Sequence, residues 1–188
     1  MDFKAHLETA WRLTLRYIAP LILMTLAMAV VSFLSLGILA PVTMAGYMQA
    51  ILLMVRDGRE PRVQDIFSQM RLFLPLFLFG LVVFLAIMIG FALLVLPGLL
   101  ISLAVAFCCL YVLPLMTDKG MGVVEAVKES FRMSTGKSTL DQLVVMVLYL
   151  GLSAVGGSVF IGWLFTQPFA TVFLLSVYEE KVSRPQPS

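Results

Sequence analysis

Three long stretches of this sequence, residues 17–55, 72–117 and 142–178, contain no formally charged side chain. All 13 Lys and Arg residues and all 11 Asp and Glu residues lie outside them. A charged side chain at the centre of a membrane helix costs about 2.5 to 3.5 kcal/mol on insertion scales, so a bilayer selects this pattern. The pattern predicts an integral membrane protein.

The composition agrees with that prediction and argues against other classes of protein. Hydrophobic residues make up 61% of the 188 residues and charged residues 13%, against about 45–50% and 25% in a soluble domain. The net charge is only +2, and the basic residues are dispersed among acidic ones instead of forming a run that follows a phosphate backbone. We therefore expect a single transmembrane domain, residues 1–188, that does not bind nucleic acid.

Each uncharged stretch is long enough for two membrane helices, because one crossing needs roughly 20 residues. Breakers lie near the middle of each stretch, at Gly37–Pro41, Val95–Gly98 and 156–168, and Gly and Pro residues end helices. We predict an all-α polytopic membrane protein with six transmembrane helices arranged as three hairpins. The predicted spans are 18–36, 41–55, 73–94, 98–116, 141–157 and 161–178.

The connections between the stretches predict the orientation. Every Lys and Arg residue lies in the N-terminal segment, in the connections 56–71 and 117–141, or in the C-terminal tail. By the positive-inside rule this face is cytoplasmic, both termini included.

A short amphipathic segment precedes each predicted hairpin, and its apolar residues recur at helical spacing. In the second segment, Pro61 suits a first helical position. Helices of this kind lie in the membrane interface, so we predict one on the cytoplasmic side before each hairpin. The apolar stripes contain Phe3, Leu7, Trp11, Thr14 and Ile18, then Val63, Ile66, Phe67 and Met70, then Val124, Val127 and Phe131. The residues predicted to contact the lipid interface are Trp11, Arg12, Arg16, Phe67, Arg71, Lys128, Phe131 and Arg132.

The order of amphipathic segment, hairpin and charged link occurs three times, which indicates a threefold internal repeat over 1–60, 61–120 and 121–182. Trp11, Phe67 and Phe131 occupy matching places. The pairs also end in similar segments, Met54–Gly58, Met116–Gly120 and Val177–Lys181. The alternative is chance, because any protein with an even number of helices and short outer turns shows such spacing.

The segment from Val95 to Lys137 contains the PG pair at Pro97-Gly98, Pro114 late in the next helix, an acidic-Gly turn at Asp118–Gly120 and a Ser-Phe-Arg helix ending at Arg132. With these features the chain resembles a superfamily of uncharacterised bacterial six-helix inner-membrane proteins, the YciC-like proteins and relatives of the glycerophosphodiester phosphodiesterase membrane domain. The resemblance implies a fold and a location in the bacterial inner membrane. It implies no reaction.

The sequence offers little catalytic chemistry. His6 is the single histidine, and no nucleophile and acid accompany it in a local signature of a catalytic triad. We expect it to be a solvated interfacial residue, and we expect no enzyme activity and no cofactor.

A soft-metal site is the sharpest chemical alternative, because thioether and thiolate ligands select Cu(I). Against it, Met commonly fills apolar gaps, and adjacent cysteines point about 100° apart on a helix. The candidate ligands are Met24, Met28, Met44, Met48, Cys108 and Cys109.

Polar residues within the uncharged stretches leave two interpretations open. They line a path for a solute, or they bring helices together, as small-residue pairs such as Gly46 and Ala50 do. These polar residues are Thr43, Tyr47, Gln49, Gln142, Tyr149, Ser153 and Thr171.

We predict a non-catalytic inner-membrane protein that acts in membrane-embedded interaction or envelope support. Its expected partners are membrane lipids and other membrane proteins or a second copy of itself. The alternative is a transporter or channel for a small solute, an ion, including Cu(I), or a lipid.

Overall fold

A computed structural model describes residues 3–135, 139–157 and 160–183. These residues form nine α-helices and two short 3₁₀ helices, and the described part of the chain contains no β-strand. The prediction of an all-α protein is confirmed for these residues. The α-helices are α1 (Phe3–Arg16), α2 (Ile18–Leu34), α3 (Ala40–Asp57), α4 (Phe73–Leu93), α5 (Val95–Cys109), α6 (Val112–Asp118), α7 (Val123–Thr135), α8 (Thr139–Gly157) and α9 (Phe160–Ser183), and the 3₁₀ helices are Val63–Phe67 and Met70–Leu72.

The helices overlap the uncharged stretches in pairs. Helices α2 and α3 lie in the first stretch, α4 with α5 and α6 in the second, and α8 with α9 in the third. The first pair is joined by a turn in which Gly37 has φ +83°, a value that glycine adopts without steric cost. The helix break predicted at Gly37–Pro41 is therefore confirmed.

The second break lies at Leu94, one residue before the predicted range Val95–Gly98. Helix α4 ends at Leu93 and α5 begins at Val95, with Leu94 extended between them. Pro97 fits the first turn of α5 because that position needs no backbone N–H donor. Gly98 serves close packing instead of a turn, since a Cβ atom added at Gly90 would lie 3.0 Å from the Gly98 Cα atom.

The third break was predicted within 156–168. Residues 158–159 of this range lie outside the described part of the chain, and α9 begins at Phe160. Pro168, which the sequence assigned to this break, lies inside α9.

The second amphipathic segment is not the single interfacial helix that the sequence predicted. It forms two 3₁₀ helices because Arg62 is extended and its N–H donates to the Asp65 carboxylate at 3.0 Å. Ile66 is fully buried, and its backbone lies against Gly46 of α3, where any side chain would clash. The other two amphipathic segments form α1 and α7, as predicted.

The amphipathic segments and the helix pairs make contacts in a similar cyclic order. Each amphipathic segment lies on the second helix of the preceding pair, so α1 contacts α9, the 3₁₀ helix Val63–Phe67 contacts α3, and α7 contacts α5 and α6. The first helix of each pair does the same, because α2 contacts α9, α4 contacts α3 and α8 contacts α5.

Two helical segments of the described chain are long and apolar enough to cross a membrane, Val63–Leu93 with 31 residues and Val95–Asp118 with 24. A third candidate is the pair α1 and α2, which meet at an angle of 87°. The chain is thus all-α with two or three helical segments of membrane-spanning length and composition.

Burial differs sharply between the pairs. The second helices α3 and α9 form most of the core, with long runs of buried residues that include the fully buried Tyr47, Phe173 and Tyr178. The far half of the α4–α5 pair is exposed instead. Its exposed large apolar residues are Leu81, Val82, Phe84, Leu85, Met88, Ile89, Phe91, Leu93, Leu94, Val95, Leu96, Leu99, Leu100 and Leu103.

Candidate functional site at the charged ends of the helices

Arg56, at the end of α3, joins two other helix ends. Its guanidinium donates to both oxygens of Asp118 at 2.8 and 3.1 Å. It also donates to the Glu179 carboxylate at 2.8 to 3.2 Å. A planar guanidinium suits such a double bidentate arrangement, so one cation ties α3 to α6 and α9. We call Arg56, Asp118 and Glu179 the ion cluster.

The electrostatics of the ion cluster favour the charged forms. Hydrogen bonds from Arg56 to Asp118 and then to Glu179 raise the pKa of Arg56. Partial burial acts to raise the pKa of Asp118, but the hydrogen bonds and charge of Arg56 outweigh it and hold that pKa below its ordinary value. The hydroxyl of Tyr178 also donates to Asp118, at 3.1 Å. Arg56 and Asp118 are therefore both ionised near neutral pH.

The members of the ion cluster occupy matching positions in the sequence. Arg56, Asp118 and Glu179 are each the third residue of the similar segments Met54–Gly58, Met116–Gly120 and Val177–Lys181. The sequence aligned these segments but did not indicate that they meet, because the three residues differ in charge and lie more than sixty positions apart.

Lys181, two residues after Glu179, forms a second polar contact on α9. Its ammonium donates to the Gln142 side-chain oxygen at 2.6 Å and to the Met133 carbonyl at 3.0 Å, and it lies 5.0 Å from the centre of the Tyr111 ring. Burial lowers the pKa of Lys181 to about 8, against a smaller opposing effect of the Asp141 charge. Lys181 thus links α9 to α6, α7 and α8.

Gln142, which accepts a hydrogen bond from Lys181, is fully buried. Its side-chain oxygen accepts from Lys181 and from the hydroxyl of Tyr111, at 2.9 Å. The sequence left Gln142 open as a residue of a solute path or of helix packing, and in the structure it accepts hydrogen bonds from both Tyr111 and Lys181.

His6 is not the solvated residue that the sequence predicted. Its Nδ1 atom lies 2.7 Å from the Ser176 hydroxyl, and its Nε2 atom pairs with Glu180. The His6 side chain is only 11% exposed. The prediction failed because the histidine faces α9, which lies 170 residues away in sequence, and no local pattern reports that contact.

The residues predicted to contact the lipid interface are all exposed. Trp11, Phe67 and Phe131 expose roughly half of their surface, and Trp11 also packs edge-on against Phe165 and Phe169 of α9. The basic members Arg12, Arg16, Arg71, Lys128 and Arg132 are exposed as well. Their contact with lipid stays a prediction.

The soft-metal candidates are not gathered in one place, and Cys108 is half-buried and belongs neither to the core nor to the groove. Met24, Met28 and Met48 are buried in the apolar core. Met44 and Cys109 both line an apolar groove between α3, α4, α5 and α6. In the described residues no three His, Cys, Asp or Glu side chains group as metal ligands.

This groove has a volume of about 260 Å³. Its wall is almost entirely apolar. The residues that line it are Pro41, Met44, Leu76, Phe79, Gly80, Val83, Val105, Cys109, Val112 and Leu113.

A separate set of polar side chains crosses the helix core. The Thr25 and Tyr47 hydroxyls lie 3.0 Å apart between α2 and α3. Tyr149 of α8 hydrogen-bonds Gln167 of α9. Tyr47 and Tyr149, which the sequence left open as residues of a solute path or of helix packing, thus each have a polar partner on a neighbouring helix.

No protein-family model, curated protein sequence or solved structure matches the chain. The class of the protein is defined by its fold alone: an all-α chain with helices long and apolar enough to cross a membrane.

Proposed function

We propose that the protein spans the bacterial inner membrane six times, as three helix pairs with both termini in the cytoplasm. Helices α2, α3 and α8 have 17, 18 and 19 residues. At about 1.5 Å per residue they are roughly 26 to 29 Å long, close to the hydrocarbon thickness of about 30 Å. The ion cluster supports the orientation, since it gathers the ends of α3, α6 and α9 on one side.

We also propose that the chain is a threefold repeat of one unit. The residue before each matching aromatic is fully buried, namely Ala10, Ile66 and Ser130. Each unit also makes its contact with the preceding second helix at the same place, ten residues before the ion-cluster member. At these places Gly46 meets Ile66, the Cys108 carbonyl accepts from Ser130 at 2.6 Å, and Phe169 packs on Trp11.

The function that the geometry supports best is non-catalytic: a membrane-embedded interaction or envelope-support protein. The observation that carries this proposal is the exposed apolar surface of the α4–α5 pair, which is far larger than that of α3 or α9. Surfaces of this kind mark protein or membrane contacts. We propose that α4 and α5 present this surface to another membrane protein or to a second copy of the chain.

Photocrosslinking in cells tests the proposal. A photoreactive amino acid replaces Phe84, which is exposed on α4, or Val145, which is buried in α8 and serves as the control. The proposal expects a protein adduct of one discrete mass from position 84 and none from position 145. Lipid adducts alone at position 84 would contradict an interaction role, as would flux or turnover of a defined solute by liposomes that contain only this protein.

The alternative is a transporter or channel for a small solute, ion or lipid, and the polar set around Tyr47 and Tyr149 favours it. Such a set provides hydrogen-bond partners within a helix core. A Tyr47→Phe exchange would then lower solute flux in liposomes severalfold. The Cu(I) version makes a separate prediction, because changing Met24, Met28, Met44 and Met48 to Leu removes the sulfur ligands. Unaltered copper tolerance in cells with that variant would eliminate it.

A further inference from the structure

The apolar groove is held open by the residues on its two sides. Gly80 of α4 faces Pro41 of α3, and a Cβ atom added at Gly80 would lie 3.8 Å from the Pro41 ring. On the opposite wall, α5 ends at Cys109 and α6 begins at Val112. A larger residue than Gly80 would fill the space between these walls.

The chemistry of the groove points to a hydrocarbon occupant. Every lining residue belongs to the uncharged stretches 17–55 and 72–117. A stable buried water needs two to four polar partners, which this apolar lining does not provide. An empty apolar space also forfeits dispersion contacts along its walls. At this level of a membrane protein the surrounding solvent consists of acyl chains.

Polar residues precede the groove-lining part of α4 along the chain, at the 3₁₀ helix Met70–Leu72. The lining residues Leu76, Phe79, Gly80 and Val83 recur at helical spacing along α4. Seven residues before Leu76 lies Gln69, which is 8% exposed and whose buried side-chain oxygen has no partner among the described residues. A buried acceptor without a partner costs about 1 to 3 kcal/mol, so this position favours a polar ligand.

A basic residue, Arg71, lies two residues after Gln69. Arg71 is exposed and forms no ion pair with a described residue. From Arg71 to Val83 the chain advances twelve residues, or about 18 Å at 1.5 Å per residue. One leaflet of the hydrocarbon core is about 15 Å thick. The groove-lining residues from Leu76 to Val83 thus lie about 8 to 18 Å beyond Arg71 along the chain, a range that overlaps the depth of an acyl chain below a headgroup at Arg71.

We propose that the groove is a binding site for one phospholipid, whose acyl chain lies between α3, α4, α5 and α6 and whose headgroup lies beside Arg71 and Gln69. The inference rests on the proposed membrane location of the helices. It names a ligand that the proposed interaction role does not require.

The test is crosslinking with a photoreactive phospholipid. The full-length protein is reconstituted in vesicles of phosphatidylethanolamine and phosphatidylglycerol that contain a trace of phosphatidylglycerol with a diazirine on its acyl chain. The proposal expects adducts on peptides that contain Phe79, Val83 or Val105, and these adducts decrease as unlabelled phosphatidylglycerol is raised. Adducts distributed evenly over the exposed α4–α5 surface, with no saturation, would overturn it.

Two variants with matched controls locate the site. Gly80→Leu fills the groove, and we expect it to reduce groove adducts at least fivefold. Gly151→Leu makes the same change in α8, where a Cβ atom meets open space, and should leave the adducts unchanged. Arg71→Met should reduce the adducts severalfold, whereas Lys119→Met, which changes an exposed lysine outside the predicted lipid-interface set, should not. Equal adducts from Gly80→Leu and the unsubstituted protein would overturn the groove site, and equal adducts from Arg71→Met would overturn the headgroup assignment.

The result is independent of the proposed interaction role. A protein adduct from position 84 with no saturable lipid adduct would retain that role and remove the lipid site. Saturable adducts in the groove with no protein adduct from position 84 would do the reverse. All variants are first checked for monodisperse extraction. If Gly80→Leu aggregates, Val105→Trp, which fills the groove from the opposite wall, takes its place.

Discussion

The guanidinium of Arg56 and the carboxylate of Asp118 form a bidentate pair, with hydrogen bonds of 2.8 and 3.1 Å, that joins the end of α3 to the end of α6. The same guanidinium bonds Glu179 of α9. One side chain thus joins the charged ends of α3, α6 and α9, and its contribution to stability can be measured.

Replacing Arg56 with Met should destabilise the protein by about 1 to 3 kcal/mol, since hydrogen bonds to charged groups are each worth about that much and two carboxylates would be left side by side. The stability of Arg56→Lys should lie between that of the unsubstituted protein and that of Arg56→Met, because an ammonium cannot bond both carboxylates bidentately. Thermal or denaturant unfolding in detergent gives the measurement. Lys4→Met is the matched control, because Lys4 pairs with Glu8 at 3.8 Å on an open surface. Equal losses from the two Met variants would contradict the role of Arg56.

Lys181 should make stability depend on pH above neutrality. Its pKa of about 8 in the folded protein lies below the ordinary value of 10.5, so between these values the unfolded chain binds more protons than the folded one. Stability should therefore rise with pH over this window. Unfolding measured from pH 7 to pH 10 should show the rise in the unsubstituted protein and a smaller rise in Lys181→Met. Lys128→Met, which changes an exposed lysine, should keep the full rise, and a flat profile in the unsubstituted protein would refute the assignment.

Gly46 should not tolerate a side chain. A Cβ atom there would lie 2.7 Å from the Asp65 carbonyl oxygen and closer still to the Ile66 carbonyl, so the backbone of the 3₁₀ segment would have to move. Overpacking of this kind costs about 1 to 3 kcal/mol. We expect that loss in Gly46→Ala, measured as a lower unfolding midpoint, while Gly151→Ala should be neutral or stabilising because Ala favours helix. A Gly46→Ala protein as stable as the parent would show that the 3₁₀ segment does not lie on α3.

The approximate positions of the helices were predictable because apolar helices exclude charged residues over their whole length. Most residues of α2 to α6, α8 and α9 lie in the three uncharged stretches. The exact breaks were less predictable. A Pro-Gly pair often forms a turn, but here Gly98 lies within α5 and permits close contact with Gly90 of α4. A sequence pattern cannot separate these two uses of glycine.

The candidate site was predictable only in part. The similar segments Met54–Gly58, Met116–Gly120 and Val177–Lys181 were visible in the sequence, yet the meeting of their third residues depends on how three helix pairs pack. His6 and Gln142 show the same limit, because the partners of His6 on α9 and of Gln142 on α6 and α9 lie 31 to 174 residues away. Helical spacing describes only the neighbours within a few turns.

The most direct test of the proposed membrane arrangement is cysteine accessibility in intact spheroplasts. Cys108 and Cys109 are replaced by Ala, and single cysteines are introduced at Leu36 in the first turn, at Glu60 in the first charged connection and at Lys119 in the second. A membrane-impermeant maleimide should label position 36 from outside, and it should label positions 60 and 119 only after lysis. Labelling of position 60 or 119 in intact spheroplasts would contradict the account, because the charged ends of the helices would then face outward.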